Sequence, residues 1–250
     1  MRVRSAIAGV AALGLASTQA SAQRPELVVW TTRAIATVLA EVGPEFERTS
    51  GIKLKITSDL PPAFRARATA GEPFDLPISG SAPVDEWIRD GKLLRETRTT
   101  IARSGIGVEV RAGAAKPDIS SVDALKRTLL TAKSVAYLRV GSGIYLDSLF
   151  ERLGIAAAIT PKAIRPETDV VSELVAKGEA EIGMVVITQI LTTRGVELVG
   201  PLPPEIQSYV TFTAGVSARS AAPAAARRLI EYLTGPTAVR VIRSHGMEPE

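Results

Sequence analysis

From Glu26 onward, short runs rich in β-branched residues alternate with stretches whose apolar residues recur at helical spacing. That alternation is the signature of βαβ units around a largely parallel sheet. Residues 27–30 (Leu-Val-Val-Trp) read as a first strand, and residues 32–49 as a helix with Ile35, Val38, Leu39, Val42 and Phe46 on one face. Gly43-Pro44 predicts a kink or brief interruption, and Ser50-Gly51 ends the helix. Residues 52–57 read as a second strand, 62–70 as a short helix closed by Gly71, and 74–79 as a third strand. Their ends, at Thr31, Ser58 and Ser79, are expected at the carboxyl edge of one sheet, where open α/β sheets bind ligands.

A second unit follows residues 105–110, which read as a strand. Helices are predicted over 122–131, 142–153 and 170–177, with strands at 134–138 and 182–187. An extended run at 209–215 and two helices, 222–233 and 237–244, complete the chain. The simplest architecture is an α/β fold of two lobes, each a mostly parallel sheet flanked by helices, joined by two hinge crossings near Gly105 and Tyr209. Lobe one takes residues 23–107 and 212–250, and lobe two takes 108–211. The cleft between them is the expected ligand site.

The first 22 residues read as a signal peptide: Arg2 and Arg4, an apolar run from Ala6 to Ala16, then Ala20-Ser21-Ala22 as the cleavage site. Its removal leaves 28 basic against 26 acidic residues, a net charge of +2. That charge is too small for a polyanion binder, and an aromatic share of 4% argues against a surface of stacking rings, so no nucleic-acid partner is expected. With no cysteine there is neither a lipid-bearing thiol nor a disulfide to form. A periplasmic protein without a lipid anchor follows.

Two loops could hold an anion. Arg139-Val140-Gly141-Ser142-Gly143-Ile144-Tyr145 lies between a strand and a helix, so its amides and the Ser142 hydroxyl are expected at a helix N-terminus, with Arg139 adding charge. A tight turn with Ser142 as N-cap and Arg139 solvated accounts for the same residues. Thr31-Thr32-Arg33 repeats the pattern, with capping by Thr32 and a solvated Arg33 as the plain alternative. The two arginines would face each other from opposite lobes and suit a carboxylate.

Enzyme signatures are absent. The single histidine, His245, sits at a predicted helix end, which leaves no Ser-His-Asp triad and no metal-ligating set. Ser50-Gly51-Ile52-Lys53 matches S-x-x-K but ends a helix where that motif's serine should begin one. Neither catalysis nor a cofactor is expected.

Several segments carry a resemblance: residues 46–53 (Phe-Glu-Arg-Thr-Ser-Gly-Ile-Lys), 70–76 (Ala-Gly-Glu-Pro-Phe-Asp-Leu) and 178–183 (Gly-Glu-Ala-Glu-Ile-Gly), with 233–236 and 246–249 near the end. In order and spacing they resemble periplasmic solute-binding proteins of the molybdate-binding type, which implies the type II two-lobed fold. The resemblance also implies a pocket of small hydroxyl residues and amides for an oxyanion. Counting from Phe46 puts Ala34 at the first-loop hydroxyl position, and counting from Gly71 puts Leu60 and Pro61 at the second-loop positions. Val186 stands where a tyrosine is implied, while Gly143 and Tyr145 keep the pattern. Each lost donor would leave a desolvated tetrahedral oxyanion short by roughly 1 to 3 kcal/mol. The expected ligand is therefore a small organic carboxylate, with a molybdate-type oxyanion as the alternative. The expected partner is the membrane permease of an ABC importer or, equally compatible, a membrane sensor kinase; the chain itself is expected to act as a monomer.

Overall fold

The structure, a computed structural model, describes residues 26–250; the signal-peptide reading of residues 1–22 lies outside them. The elements run β1 (Glu26–Thr31), α1 (Arg33–Ser50), β2 (Lys53–Ser58), α2 (Pro61–Thr69), β3 (Leu76–Gly80), α3 (Ser81–Arg89) and β4 (Thr99–Arg111). They continue with α4 (Val122–Thr131), β5 (Val135–Tyr137), α5 (Ser142–Arg152), α6 (Ala156–Ile159), β6 (Ala163–Ile164), α7 (Val171–Lys177), β7 (Ile182–Val186), α8 (Ile187–Thr192) and β8 (Val196–Pro201). Finally come β9 (Tyr209–Ala214), α9 (Pro223–Thr234), α10 (Pro236–Ser244) and β10 (Glu248–Pro249).

The strands order as β2-β1-β3-β9-β4-β7-β5-β6, with β8 and β10 also paired to β4. The parallel ladders expected from the βαβ pattern are there: β1 pairs with β2 and β3, and β5 with β6 and β7. What joins them is antiparallel. Strand β4 pairs with β9 from Thr99 to Gly105, then with β7 from Ile106 and with β8 from Gly107. A chain that leaves one group of strands and later returns must run in opposite directions on its two passages, which is why β4 and β9 lie antiparallel.

Each group of strands has its own core. One gathers Leu27, Val29, Ile35, Leu39, Ile78, Phe212, Leu229 and Ile242; the other gathers Ile106, Val108, Leu125, Tyr137, Leu146, Phe150 and Met184. Burying each such side chain is worth about 1.5 to 3 kcal/mol, so each group is held by its own apolar core.

Helix α1 buries the five residues its periodicity singles out, and it is unbroken through Pro44. The carbonyl that Pro44 leaves without a donor, that of Ala40, lies on the exposed face of the helix, where water can satisfy it. Gly51 ends the helix with φ 73°, its amide bonded to Glu47 O. Besides the four-residue α6, two helices go beyond the sequence reading. The first, α3, buries Val84, Trp87 and Ile88, a helical spacing that follows Ser81-Ala82-Pro83. The second, α8, begins at Ile187, where the strand was expected to continue. His245 follows α10 and is held by Thr37 and Glu41 through its two ring nitrogens.

Candidate functional site

Four helices begin on one cavity of about 930 Å³. Its wall includes Thr32 and Ala34 at the start of α1, Pro61, Pro62 and Arg65 of α2, Gly80, Ser81, Ala82 and Pro83 at the start of α3, and Gly141, Ser142, Ile144 and Tyr145 at the start of α5. Leu60, Leu138, Val140, Ser148, Asp169, Val186, Gln189 and residues 209–212 complete it. Helix N-termini carry unpaired amides and partial positive charge, so the starts of α1, α3 and α5 turned on one space favour an anion there; α2 opens with Pro61-Pro62, which have no amide proton to offer. Thr32 adds a hydroxyl that is buried and without a partner, and it makes no capping bond to its own helix.

The α5 loop is shaped by its glycines. Gly141 has φ 59° and ψ −121°, a conformation open to glycine alone, and a Cβ on Gly143 would lie 1.7 Å from Leu138 O. Ser142 is the first residue of α5 rather than its cap, and the amides of Gly143 and Ile144 bond to Val140 O and Gly141 O. The Tyr145 ring lines the cavity while its hydroxyl donates to Ile206 O at 2.6 Å.

Of the residues picked out by sequence, Thr32, Gly141, Ser142, Ile144 and Tyr145 are brought together on the wall, with Gly143 packed behind them. Thr31 is buried behind the wall and donates to Ile78 O at 3.1 Å. Ser58 ends β2 on an exposed surface. Ser79, its hydroxyl without a partner, faces a smaller neighbouring hollow lined by Pro61, Phe64 and Trp87.

Neither Arg33 nor Arg139 is on the wall. Arg33 reaches across to the second group of elements: Nη1 donates to Asp169 O at 2.9 Å, Nη2 to Thr193 Oγ1 at 3.4 Å, and Nη2 pairs with Glu173 Oε1 at 2.5 Å. Arg139 lies on the surface, its Nε donating to Arg165 O at 3.0 Å and paired with Glu167 at 3.0 Å. The cation on the cavity wall is Arg65, itself paired with Glu86 at 2.6 Å.

The sequence reading passed over the acidic side of the site. Asp169 lies on the wall, with Gln189 Nε2 donating to its Oδ1 at 2.7 Å. Burial raises the Asp169 carboxyl above its usual range, and the bonds from Gln189 and the charge of Arg33 oppose the rise only in part. Behind it, burial pushes Glu109 up to about 7; Ser172 Oγ donates to Glu109 Oε1 at 2.9 Å, and Oε2 has no partner. Burial is the largest single influence on the Glu173 carboxylate and pushes it up, but the hydrogen bond from Arg33, a backbone amide and the charges of Arg33 and Lys177 together hold the group below its usual range. A signal for Asp169 was present, since it lies in a loop before a helix, as Thr32 and Gly141 do. Residues 165–170 carry no glycine or hydroxyl pair to draw attention to it.

A sequence profile describing bacterial extracellular solute-binding proteins matches residues 27–248. The chain belongs to that family. Among its relatives, an aconitate isomerase of Pseudomonas sp. is 34% identical over 95% of this chain and 94% of its own. The molybdate-binding protein ModA of Escherichia coli (strain K12) is 23% identical over 96% and 95%. The solved periplasmic molybdate-binding protein of Azotobacter vinelandii superposes with a TM-score of 0.75 at 19% identity, covering 88% of this chain and 98% of its own, and so shares the two-lobed fold of type II periplasmic binding proteins. No described helix of this family member is long and apolar enough to cross a membrane.

Proposed function

We propose that this solute-binding protein captures a small organic polycarboxylate in the cavity, in the periplasm, and presents it to the permease of an ABC importer. The observation that carries the reading is the chemistry of four positions. Ala34, Leu60, Pro61 and Val186, which stand where the molybdate-binding pattern implies hydroxyl groups, all lie on the cavity wall. Four apolar side chains there withhold the donors that a desolvated tetrahedral oxyanion requires, and they offer surface to a carbon skeleton. A volume of about 930 Å³ also exceeds what a bare oxyanion occupies and falls within the roughly 300 to 1,000 Å³ typical of organic-ligand sites. The carboxylates would meet the N-termini of α1, α3 and α5, with Arg65 of α2 as the cation on the wall. The lobes, residues 23–107 with 212–250 and residues 108–211, would close on the ligand by hinge motion, and the closed monomer would be the form the permease reads.

The isomerase relative favours a second reading, in which the bound acid is also converted. It adds a reaction to the same site and keeps the same ligand class.

A thermal-shift screen with calorimetric follow-up tests the ligand class, using molybdate, tungstate, sulfate, phosphate and mono-, di- and tricarboxylates. A carboxylate present at about 100 times its Kd should stabilise the protein by about 2.7 kcal/mol, a rise in Tm of several degrees. Micromolar molybdate binding with no response to any carboxylate would overturn the proposal.

A further inference from the structure

The cavity has one carboxyl group on its wall, and an anion receptor has no evident use for it. A carboxylate beside an anionic ligand repels it unless the group is protonated or has a task of its own. Asp169 is held for a task. Gln189 Nε2 fixes Oδ1 at 2.7 Å, and no described side chain or amide bonds to Oδ2. On the backbone side Arg33 Nη1 ties down the Asp169 carbonyl at 2.9 Å, and Arg33 is itself anchored by Glu173. The residue is thus held at its backbone and at one carboxyl oxygen, with the other oxygen free, on the same cavity wall as the starts of α1, α3 and α5.

We infer that Asp169 is a catalytic proton-transfer residue acting on an unsaturated polycarboxylate held in the cavity. This rests on the second reading above. The chemistry is that of a CH₂ group flanked by a carboxylate and a carbon–carbon double bond. The Asp169 carboxylate takes one proton: a C–H bond breaks, an O–H bond forms, and the electron pair spreads over the three-carbon allyl unit and its carboxylates. Asp169 then returns the proton to the far carbon of the allyl unit, breaking the O–H bond and forming a C–H bond, and the double bond moves by one position. No oxidant, reductant or second substrate is consumed. The positive helix ends hold the carboxylates on which the added charge accumulates, and such fixed dipoles assist where charge develops. Burial makes the free Asp169 oxygen more basic than an ordinary aspartate, which suits a proton acceptor near neutral pH.

The test uses the full mature chain with cis- and trans-aconitate in D₂O, followed by NMR, and tricarballylate, a saturated acid without the allyl unit, as a binding probe in calorimetry. The wild type should interconvert the two isomers and incorporate deuterium at carbon. Asp169→Asn should bind tricarballylate within about threefold of wild type while exchange and isomerisation fall by at least roughly 100-fold. Should that variant not fold, Asp169→Glu, which keeps the acid but moves it by one methylene, should retain binding and lose at least roughly tenfold in exchange. Wild-type rates in the folded variant would overturn the role of Asp169. Tight tricarballylate binding by a wild type that neither isomerises nor exchanges would overturn the catalytic inference and leave the receptor reading standing. Failure of every carboxylate to bind would overturn both.

Discussion

Arg33 and Arg139 occupy matching places in the two halves of the molecule. Each closely follows a parallel strand at the mouth of a βα loop, and by sequence each could meet an anion. Their surroundings set them apart. The Arg33 side chain is 27% exposed and bound to Asp169, Glu173 and Thr193, whereas Arg139 is 53% exposed and paired with a Glu167 that is 84% exposed. Arg33 joins the two halves and steadies the loop bearing Asp169; Arg139 sits in solvent, where an ion pair contributes little. At the α5 loop, backbone shape has taken the part that charge plays at the α1 loop.

If that contrast is right, the largest effect should come from the glycine that shapes the α5 loop. Gly143→Ala puts a methyl group 1.7 Å from the Leu138 carbonyl oxygen, a backbone atom that cannot swing aside, and should destabilise the protein by roughly 4 kcal/mol in urea unfolding. An effect under 1 kcal/mol would mean the loop moves freely.

Next comes the acid behind Arg33. Because the folded-state pKa of Glu109 is raised to about 7, its contribution is full below the usual glutamate range and is lost as pH rises through about 7. Glu109→Gln should flatten that decline and be more stable than wild type by roughly 3 kcal/mol at pH 8, with little difference at pH 4. Parallel pH–stability curves for the two proteins would show that Glu109 is not held protonated.

Arg33→Ala should cost roughly 2 kcal/mol, less than a fully buried pair because both partners are partly solvated, and should weaken carboxylate binding by loosening the Asp169 loop. Thermal unfolding and calorimetry check the two halves of that statement separately. The smallest effect belongs to Arg139→Ala: under about 0.5 kcal/mol in stability and under about threefold in affinity. A tenfold loss of affinity would return Arg139 to the ligand and dissolve the comparison.

Much of the fold was legible because its cues are local. The apolar stripe of α1, the stops at Gly51, Gly154 and Gly178, and the loops containing Thr32 and Gly141 all follow from spacing within a few residues. Helix α3 was legible too, in Val84, Trp87 and Ile88, but the reading stopped at the strand before it. The site was legible in part. The resemblance pointed to Ala34, Leu60, Pro61 and Val186 as pocket positions, and all four line the cavity.

By itself, then, the sequence determined the alternation of strands and helices, the ends of the helices and the apolar character of the pocket, because each depends on contacts between near neighbours or on the identity of single residues. Tertiary structure alone decided which charged groups line the cavity. The partners of Arg33 lie between 136 and 160 residues away, and Gln189, on α8, lies 20 residues beyond Asp169. A charge is neutralised by whatever opposite charge or dipole the fold brings within a few ångströms, and its effective strength depends on how much water the fold leaves around it. Neither quantity has a local signature, so a guanidinium that looked free in the sequence became a structural tie, and an unremarked aspartate became the acid on the cavity wall.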